Sequence, residues 1–548
     1  MSNQTKLKSN VKGALKDVPK KTVQPSRKSK IPASSQIPEN LTEEIQDKKV
    51  TSPEIDFIDH VSKNINFFYT DEYENPFVEI RDGERNVKCA VKAGEDFEDF
   101  LGKLYWELNN DALPDQVLTK SIKRFKSIAK YDNQKSKGKI AQSVRVARAN
   151  DSSKIYYCLN NAVEISENGW NVVNEPPYFR RFDHVAEQVY PDKNGNFKKI
   201  EEFLNLDNED EKNLLLVWIV AQFIPDIEKP LLAIHGPQGS AKSTLSSIIR
   251  MLVDPSRLML VTFPTTTNEL AQNLYQNYLP VYDNISKISN SQSDTLCRAV
   301  TGGGIQKRKL YTDDKTITWS FKRGLIINGI DHVLNRPDLL ERSISIKTKR
   351  VTGSFKPKEE IFEKYKIDLP EVLGGAFEIL TKVLALKATS VPTASRYPRM
   401  AEFAQWGFYI AEALEIGGEA FISAYENNIN THNKNVVFEN PITLSLIKLL
   451  EEEPEKKWNG SMKSLLESLN KVRVSLGHEV TPKGWPLDPS HLSRELNKFM
   501  VNLEGIGVYY ENKRTNEGAV ASIISKIMPS LPSSTDTVID LTDSTASE

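Results

Sequence analysis

Short apolar runs that end abruptly at small or polar residues mark the centre of this chain. Leu231–Ile234, the run inside YLPVYDN at Tyr278–Asn284, and the LIIN stretch at Leu325–Asn328 each predict a strand buried on both faces, as in a parallel sheet. Elsewhere apolar and polar residues alternate. FVEIRDG and NVKCAVKAG predict strands within residues 51–150, with a helix at Phe97–Leu108, so this region reads as a small α+β domain. IYYCLNN, AVEIS, GWNVV and PPYFRR, between Lys154 and Arg181, predict a β-rich collar, and Phe203–Ile224 a helix. The apolar run Leu214–Ile224 is too short to cross a bilayer and is stopped by Pro225, which makes it a buried helix. Residues 351–439 read as a helical lid or linker. Beyond Asn440 come ITLSLIKLLEEE, SMKSLLESLN and a third helix opened by Asp488-Pro489, a side-chain cap followed by the residue preorganised for the first turn. That helix places Leu492, Leu496, Phe499 and Leu503 on one face, and two strands follow at Ile506–Tyr510 and Val520–Ile524.

The ends differ from the middle. Residues 1–50 are basic and almost free of aromatics, and residues 529–548 are acidic and rich in Ser and Thr; neither buries enough apolar surface to offset its ordering entropy. A formal net charge of -1 carries no whole-chain signal for nucleic acid, so any basic surface is local. One such cluster holds Lys120, Lys123, Arg124, Lys126, Lys130, Lys135, Lys137, Lys139, Arg145 and Arg148 against Asp132. It is either a phosphate-neutralising surface or a solvated helix face. Cys89, Cys158 and Cys297 form no CxxC pair, which argues against a zinc site and fits a reducing cytoplasm.

The candidate chemistry sits at HGPQGSAKST, His235–Thr244, between the Leu231–Ile234 strand and the helical stretch LSSIIRMLV. Strand, small-residue loop and helix in this order make a phosphate-binding loop. Gly236, Gly239, Ser240 and Ala241 let backbone N–H groups wrap a phosphate, Lys242 reaches the β- and γ-phosphates of ATP, Ser243 ligates Mg²⁺, and Thr244 continues the helix whose N-terminus faces the anion. Ala241 stands where a second glycine is usual. Asp283, closing an apolar strand, is the second metal ligand, and Asn284 takes the place of an acid that would accept a proton from water, so Asp294 is a substitute to consider.

Taken with SDTLCRAVTGGG at Ser293–Gly304, RKLYTDD, LIINGI, YPRMAEFAQW and GWPLDPSHLSREL, the sequence from about Ile155 to Ile524 resembles P-loop ATPases of phages, plasmids and other mobile elements. These are related to superfamily 3 helicases and to the helicase halves of viral and plasmid primase-helicases. The resemblance implies an AAA+-like core over residues 230–350, a homo-oligomeric and probably hexameric ring, and ATP-driven movement on DNA. It implies a γ-phosphate sensor at Asn328 and an arginine finger at Arg342 or Arg336, with Arg342 favoured and the other left to a structural salt bridge. It also implies a pore hairpin whose Lys307, Arg308 and Lys309 touch DNA, although Gly304 stands where related proteins carry an acid.

Three helices and a hairpin over residues 440–528 read as a winged-helix-like domain, with Ser490, Arg494, Lys498, Lys513 and Arg514 as DNA contacts if it reads DNA rather than docking a protein. The expected protein is therefore an α/β ATPase with an N-terminal α+β region, working in the cytoplasm, off the membrane, on DNA with other replication proteins. Either it is a helicase, or it is an initiator or loader that uses ATP as a slow assembly switch. A small-molecule kinase is disfavoured for want of a substrate lid, and no carboxylate cluster in the N-terminal domain suggests primer synthesis.

Overall fold

A computed structural model describes residues 53–82, 85–91, 96–148, 153–159, 161–173, 179–180, 182–308, 316–329, 334, 336–351, 357–391, 397–477, 480–482, 484–515 and 518–525. The chain divides into two units, Met1–Asp56 and Phe57–Glu548, and all the sheets lie in the second. Both tails and Lys309 fall outside the described residues, as do the side chains of Lys513 and Arg514.

The fold is mixed α/β around a five-stranded parallel sheet. Its strands run Val261–Thr262, Val281–Asp283, Ile326–Asn328, Leu231–His235, Ser343–Lys347. The apolar runs fill its interior: Leu231, Leu232, Val281, Ile326 and Ile344 are buried completely, because helices and collar cover both faces. One continuous core joins this sheet to the antiparallel collar sheet, made of Val146–Arg148, Ile155–Cys158, Ala162–Ser166 and Gly169–Val173, and to the helices Lys358–Thr389, Ala401–Ala413 and Gly418–Glu439.

The Leu214–Ile224 run is buried, but only Leu214–Ala221 lies on a helix, Glu209–Ala221, which starts later and ends three residues sooner than the apolar pattern suggests. A 3₁₀ turn at Phe197–Phe203 ends before it, and the Asn208 side chain accepts from the Glu211 N–H and starts a fresh helix.

The collar is locked to the sheet by a buried ion pair. Arg145 Nε lies 3.0 Å from Asp254 Oδ1, both side chains under 5% exposed, and the other carboxylate oxygen accepts the backbone N–H groups of Tyr278 and Leu279. Burial alone raises the Asp254 carboxyl, but Arg145 and Arg250 outweigh it and hold it below the usual range. Arg145 therefore leaves the basic cluster to which its position in sequence assigns it.

An N-terminal sheet, ordered Arg85–Ala90, Pro76–Asp82, Ile65–Thr70, Ser136–Lys139, has its own core, in which Phe125 stacks on Phe68 and meets Phe97 edge-on. A third core lies at the C-terminus under the helices Pro441–Glu452, Met462–Ser475 and Pro489–Lys498. Asp488 caps the last of these, accepting from the His491 N–H at 2.8 Å. The helix breaks at Phe499 instead of running on to Leu503, and a short helix Met500–Gly505 carries Leu503 into the core. A third strand, Lys457–Ser461, pairs with Gly518–Ser525, itself hydrogen-bonded to Val508–Thr515.

Lys229 is 2% exposed and lines a cavity of about 330 Å³ with Tyr278, Arg323 and Gly303, its ammonium 5.6 Å from the Tyr278 ring. Burial, with Arg323 adding to it, pushes the amino group down to about 7. Because the native value lies below the unfolded one, the cost of keeping the group charged is fully present below about pH 7 and fades as the pH rises towards the ordinary lysine range. Lys229→Met is expected to stabilise the protein by on the order of 3 kcal/mol near pH 6, the gain shrinking towards pH 10. Denaturant titrations at several pH values check this; a gain that does not vary with pH contradicts it.

Candidate functional site

The Leu231–His235 strand gives way to a loop, Gly236–Ala241, and then to the helix Lys242–Val253. Gly236, Gly239 and Ala241 have φ of 149°, 75° and 62°, so three positions hold backbone that side chains disfavour. A Cβ on Gly236 would sit 2.6 Å from Thr348 Oγ1 and 2.7 Å from Thr348 O. Thr348 is a brace that the sequence does not reveal: its hydroxyl bonds Ser240 Oγ at 2.7 Å and the His235 carbonyl at 3.1 Å. Asn205 Nδ2 donates to Ser240 O at 3.1 Å and holds the loop from its other side. No local signal marks either residue, since each lies far from the loop in sequence.

Lys242 folds back over the loop. Its ammonium donates to the carbonyls of Gly236 and Pro237 at 2.8 and 2.9 Å and lies 3.4 Å from Ser240 Oγ. Desolvation lowers its pKa, with Asp283 opposing. Carbonyls thus occupy the charge that an anionic phosphate would take.

Ser243, in the first turn of the helix, donates to Asp283 Oδ1 at 3.0 Å. A hydroxyl and a carboxylate meeting at the carboxyl ends of two parallel strands make a hard-oxygen pair suited to Mg²⁺. These residues therefore fit a magnesium-bound nucleoside triphosphate.

Asn284 follows with φ 53°. Its N–H donates to Asn328 Oδ1 at 3.0 Å, and Asn328 Nδ2 in turn donates to Ser246 Oγ at 3.2 Å. Asn328 is 1% exposed and ties the acid-bearing strand to the helix after the loop, so in this state its amide is engaged within the protein. Asp294 is ion-paired with Arg336, whose Nη1 also donates to Asn290 O at 2.9 Å.

Arg342 stands at the other end of the sheet. Its carbonyl accepts from the N–H of Leu231, the first residue of the strand that leads to the loop. Four strand steps of roughly 3.3 Å then separate it from His235. Its side chain is 16% exposed and bound to Asp338, which Arg399 also contacts at 2.9 Å, whereas Arg336 is 39% exposed.

Lys307 and Arg308 lie on a two-stranded hairpin, Gly303–Arg308 with Thr316–Phe321, where Lys307 sits 6.0 Å from the Trp319 ring and Arg308 is exposed. Gly304 opposes Ser320, and a Cβ there would lie 2.4 Å from the Trp319 carbonyl, so the cross-strand approach excludes the acid expected at this place. Arg494 and Lys498 are exposed on the Pro489–Lys498 helix, Lys498 paired with Glu495 at 2.6 Å. Lys513 and Arg514 pair by backbone with Val520 and Ala519 near the tip of the last hairpin.

Residues 198–433 match the family model of the actinomycete integrative conjugative element replication protein, and residues 442–533 match that of the AICE RepA C-terminal domain. The match is to a replication protein of a mobile element. The first segment contains the loop, Asp283, Asn328 and both arginines; the second contains Arg494 and Lys498. No curated protein matches the chain. Among solved structures, the chain is similar to the A form apo structure of NrS-1 C terminal region-CTR, at 12% identity and a TM-score of 0.39, over 86% of this chain and 98% of that one. It is also similar to the apo structure of NrS-1 C terminal region (305-718), at 13% identity and a TM-score of 0.38, with the same coverage. At these scores the likeness assigns no fold. Among the described residues, no helix is long and apolar enough to cross a membrane.

An alanine held at φ 62° carries a steric cost that glycine avoids. Ala241→Gly is therefore expected to stabilise the protein by roughly 0.5 kcal/mol, the relief of about 1 kcal/mol being partly offset by a freer unfolded chain. Urea denaturation measures it, and a loss of stability would contradict the left-handed assignment.

Proposed function

We propose that this chain is an ATP-driven DNA helicase or translocase that serves replication of a mobile element and assembles as a ring of AAA+-like subunits. The observation that carries the reading is the Ser243–Asp283 hydrogen bond beside a loop with three left-handed positions, at the carboxyl ends of parallel strands. In this reading the loop N–H groups and the N-terminus of the Lys242–Val253 helix take the phosphates, and Lys242 leaves the loop carbonyls to meet the transferring phosphoryl group. Ser243 and Asp283 would hold a magnesium ion, which would supply charge neutralisation at the phosphates. Asn284 positions water through a side chain that cannot take its proton, with its backbone fixed by Asn328.

Arg342 lies at the far end of its own sheet from the loop, out of reach of phosphates bound there. Its burial and its tie to Asp338 suit it to bracing, so we assign the contact across the subunit boundary to the more exposed Arg336. The Gly303–Arg308 hairpin is read as the grip on DNA, and the C-terminal helices with their three-stranded sheet as a winged helix that positions the protein on duplex.

Asn284 and the pairing of Asp294 with Arg336 favour a second reading, an initiator or loader in which ATP is hydrolysed slowly as an assembly switch. Turnover with forked DNA separates the two. Lys242→Ala is expected to lower ATP hydrolysis by about 10²-fold or more with an unchanged melting temperature, because the lysine contacts only loop carbonyls and a hydroxyl. Only a helicase separates the fork in an ATP-dependent reaction that Lys242→Ala abolishes. Unchanged hydrolysis in the variant would overturn both readings, and hydrolysis without strand separation would leave the switch.

A further inference from the structure

The N-terminal sheet domain carries the strongest local charge in the described protein. From residue 116 to residue 140 there are eight basic residues, Lys120, Lys123, Arg124, Lys126, Lys130, Lys135, Lys137 and Lys139, and one acidic residue, Asp132, a net of +7 in a chain whose total is -1. The Asp115–Tyr131 helix turns Ser121, Ile122, Phe125 and Ala129 into the core, so Lys120, Lys123, Arg124, Lys130 and Tyr131 are all exposed on the outer side. Residues three, four and seven apart share a face, which makes a continuous basic stripe. Asp132, already counted in that net charge, closes the turn after the helix, its Oδ1 accepting the backbone N–H groups of Gln134 and Lys135. Glu74 takes Lys139 at 2.9 Å, with both side chains more than half exposed, so little of the charge is cancelled.

Two further features are not those of a merely solvated face. Tyr131, at the end of the stripe, is 77% exposed and makes no ring contact among the described residues. Beside it opens a cavity of about 480 Å³ lined by Asn66, Phe67, Gln134, Lys135 and Lys137, with the Lys137 ammonium 3.7 Å from the Phe67 ring centroid. Ser136 Oγ donates to Ala129 O at 2.8 Å and pins the cavity lip to the last turn of the helix. Tyr131 and Gln134 are three residues apart, a separation of at most about 10 Å. The Asn66 Nδ2 donates to Glu79 Oε1 at 3.0 Å, which leaves an aromatic wall, a cation and the Gln134 amide as the features that suit a nucleobase. Duplex DNA hides its base faces; a single strand offers them to aromatic rings while its phosphates track a basic groove.

We propose that this edge binds single-stranded DNA, with phosphates along Lys123, Arg124, Lys130 and Lys135, one base stacked on Tyr131 and a nearby base in the Phe67 cavity. The inference rests on the nucleic-acid reading of the chain and is independent of the ATP site. It gives the domain a role that neither the hairpin nor the C-terminal module supplies, namely holding strand that has already been opened.

The test uses the full chain with an oligothymidylate and a duplex of equal length, each titrated across salt, and an oligothymidylate bearing one 5-iododeoxyuridine for photocrosslinking. Tyr131→Ala is expected to weaken single-strand binding about ten-fold and leave duplex binding unchanged, with Tyr131→Phe restoring affinity. Lys123→Ala with Arg124→Ala is expected to flatten the salt dependence by roughly 1.4 units of slope for two lost phosphates. Crosslinks are expected at Tyr131 or within residues 134–137. Crosslinks confined to the Gly303–Arg308 hairpin or the C-terminal module, with Tyr131→Ala silent, would overturn this inference and leave the proposed function standing. Equal losses on duplex and single strand would overturn the stacking assignment, and competition by polyglutamate as effective as by oligothymidylate would make the edge a protein-docking surface. Absence of any crosslink or DNA binding would instead strike the nucleic-acid reading as a whole.

Discussion

The hydrogen bond from Ser243 to Asp283 is the constraint around which the rest of the candidate site is arranged. It joins residues 40 positions apart in sequence, and it forms only if two parallel strands end at the same level and the helix after the loop starts in the right place. The intervening strand fixes that level. Ile326–Asn328 pairs with Val281–Tyr282 on one side and with Leu232–Ile234 on the other, and Asn328 reaches both the Asn284 N–H and Ser246. A displaced strand on either side separates the hydroxyl from the carboxylate. The buried Arg145–Asp254 pair guards the opposite end of the same helix, where removing one partner would strand the other charge away from water.

What was legible in the sequence was what contiguous residues encode. The loop, its lysine and its serine lie in one string between the strand Leu231–His235, which an apolar run announces, and the helix Lys242–Val253. The Asp488-Pro489 start was equally plain, since cap and first turn are neighbours. Mixed α/β architecture with a parallel sheet followed from three short apolar runs.

What was not legible depends on distance or on competition between local signals. Thr348 and Asn205 brace the loop from 108 and 35 residues away, and neither residue type is unusual where it stands. The Phe203–Ile224 pattern hid a helix start because apolar spacing runs on through Leu204 and Leu206, while the Asn208 cap decides where the backbone turns. The strand Lys457–Ser461 is short and mostly polar, and its partner lies beyond residue 517. Arg145 read as one more member of a basic cluster; only the fold reveals that it faces inwards to Asp254. Likewise the side chain of Arg342 is 16% exposed and that of Arg336 39%, a difference that their shared NRPDLLER string does not encode.

The central claim is that the loop and Asp283 together hold a magnesium-bound nucleoside triphosphate, and the magnesium dependence of ATP affinity tests it most directly. Calorimetry on the unaltered chain and on Asp283→Asn and Ser243→Ala is expected to show magnesium tightening ATP binding only where both oxygens are present. Affinity for metal-free ATP should survive in both variants, because Lys242 and the loop N–H groups remain. A magnesium-dependent gain that persists undiminished in both variants would contradict the account.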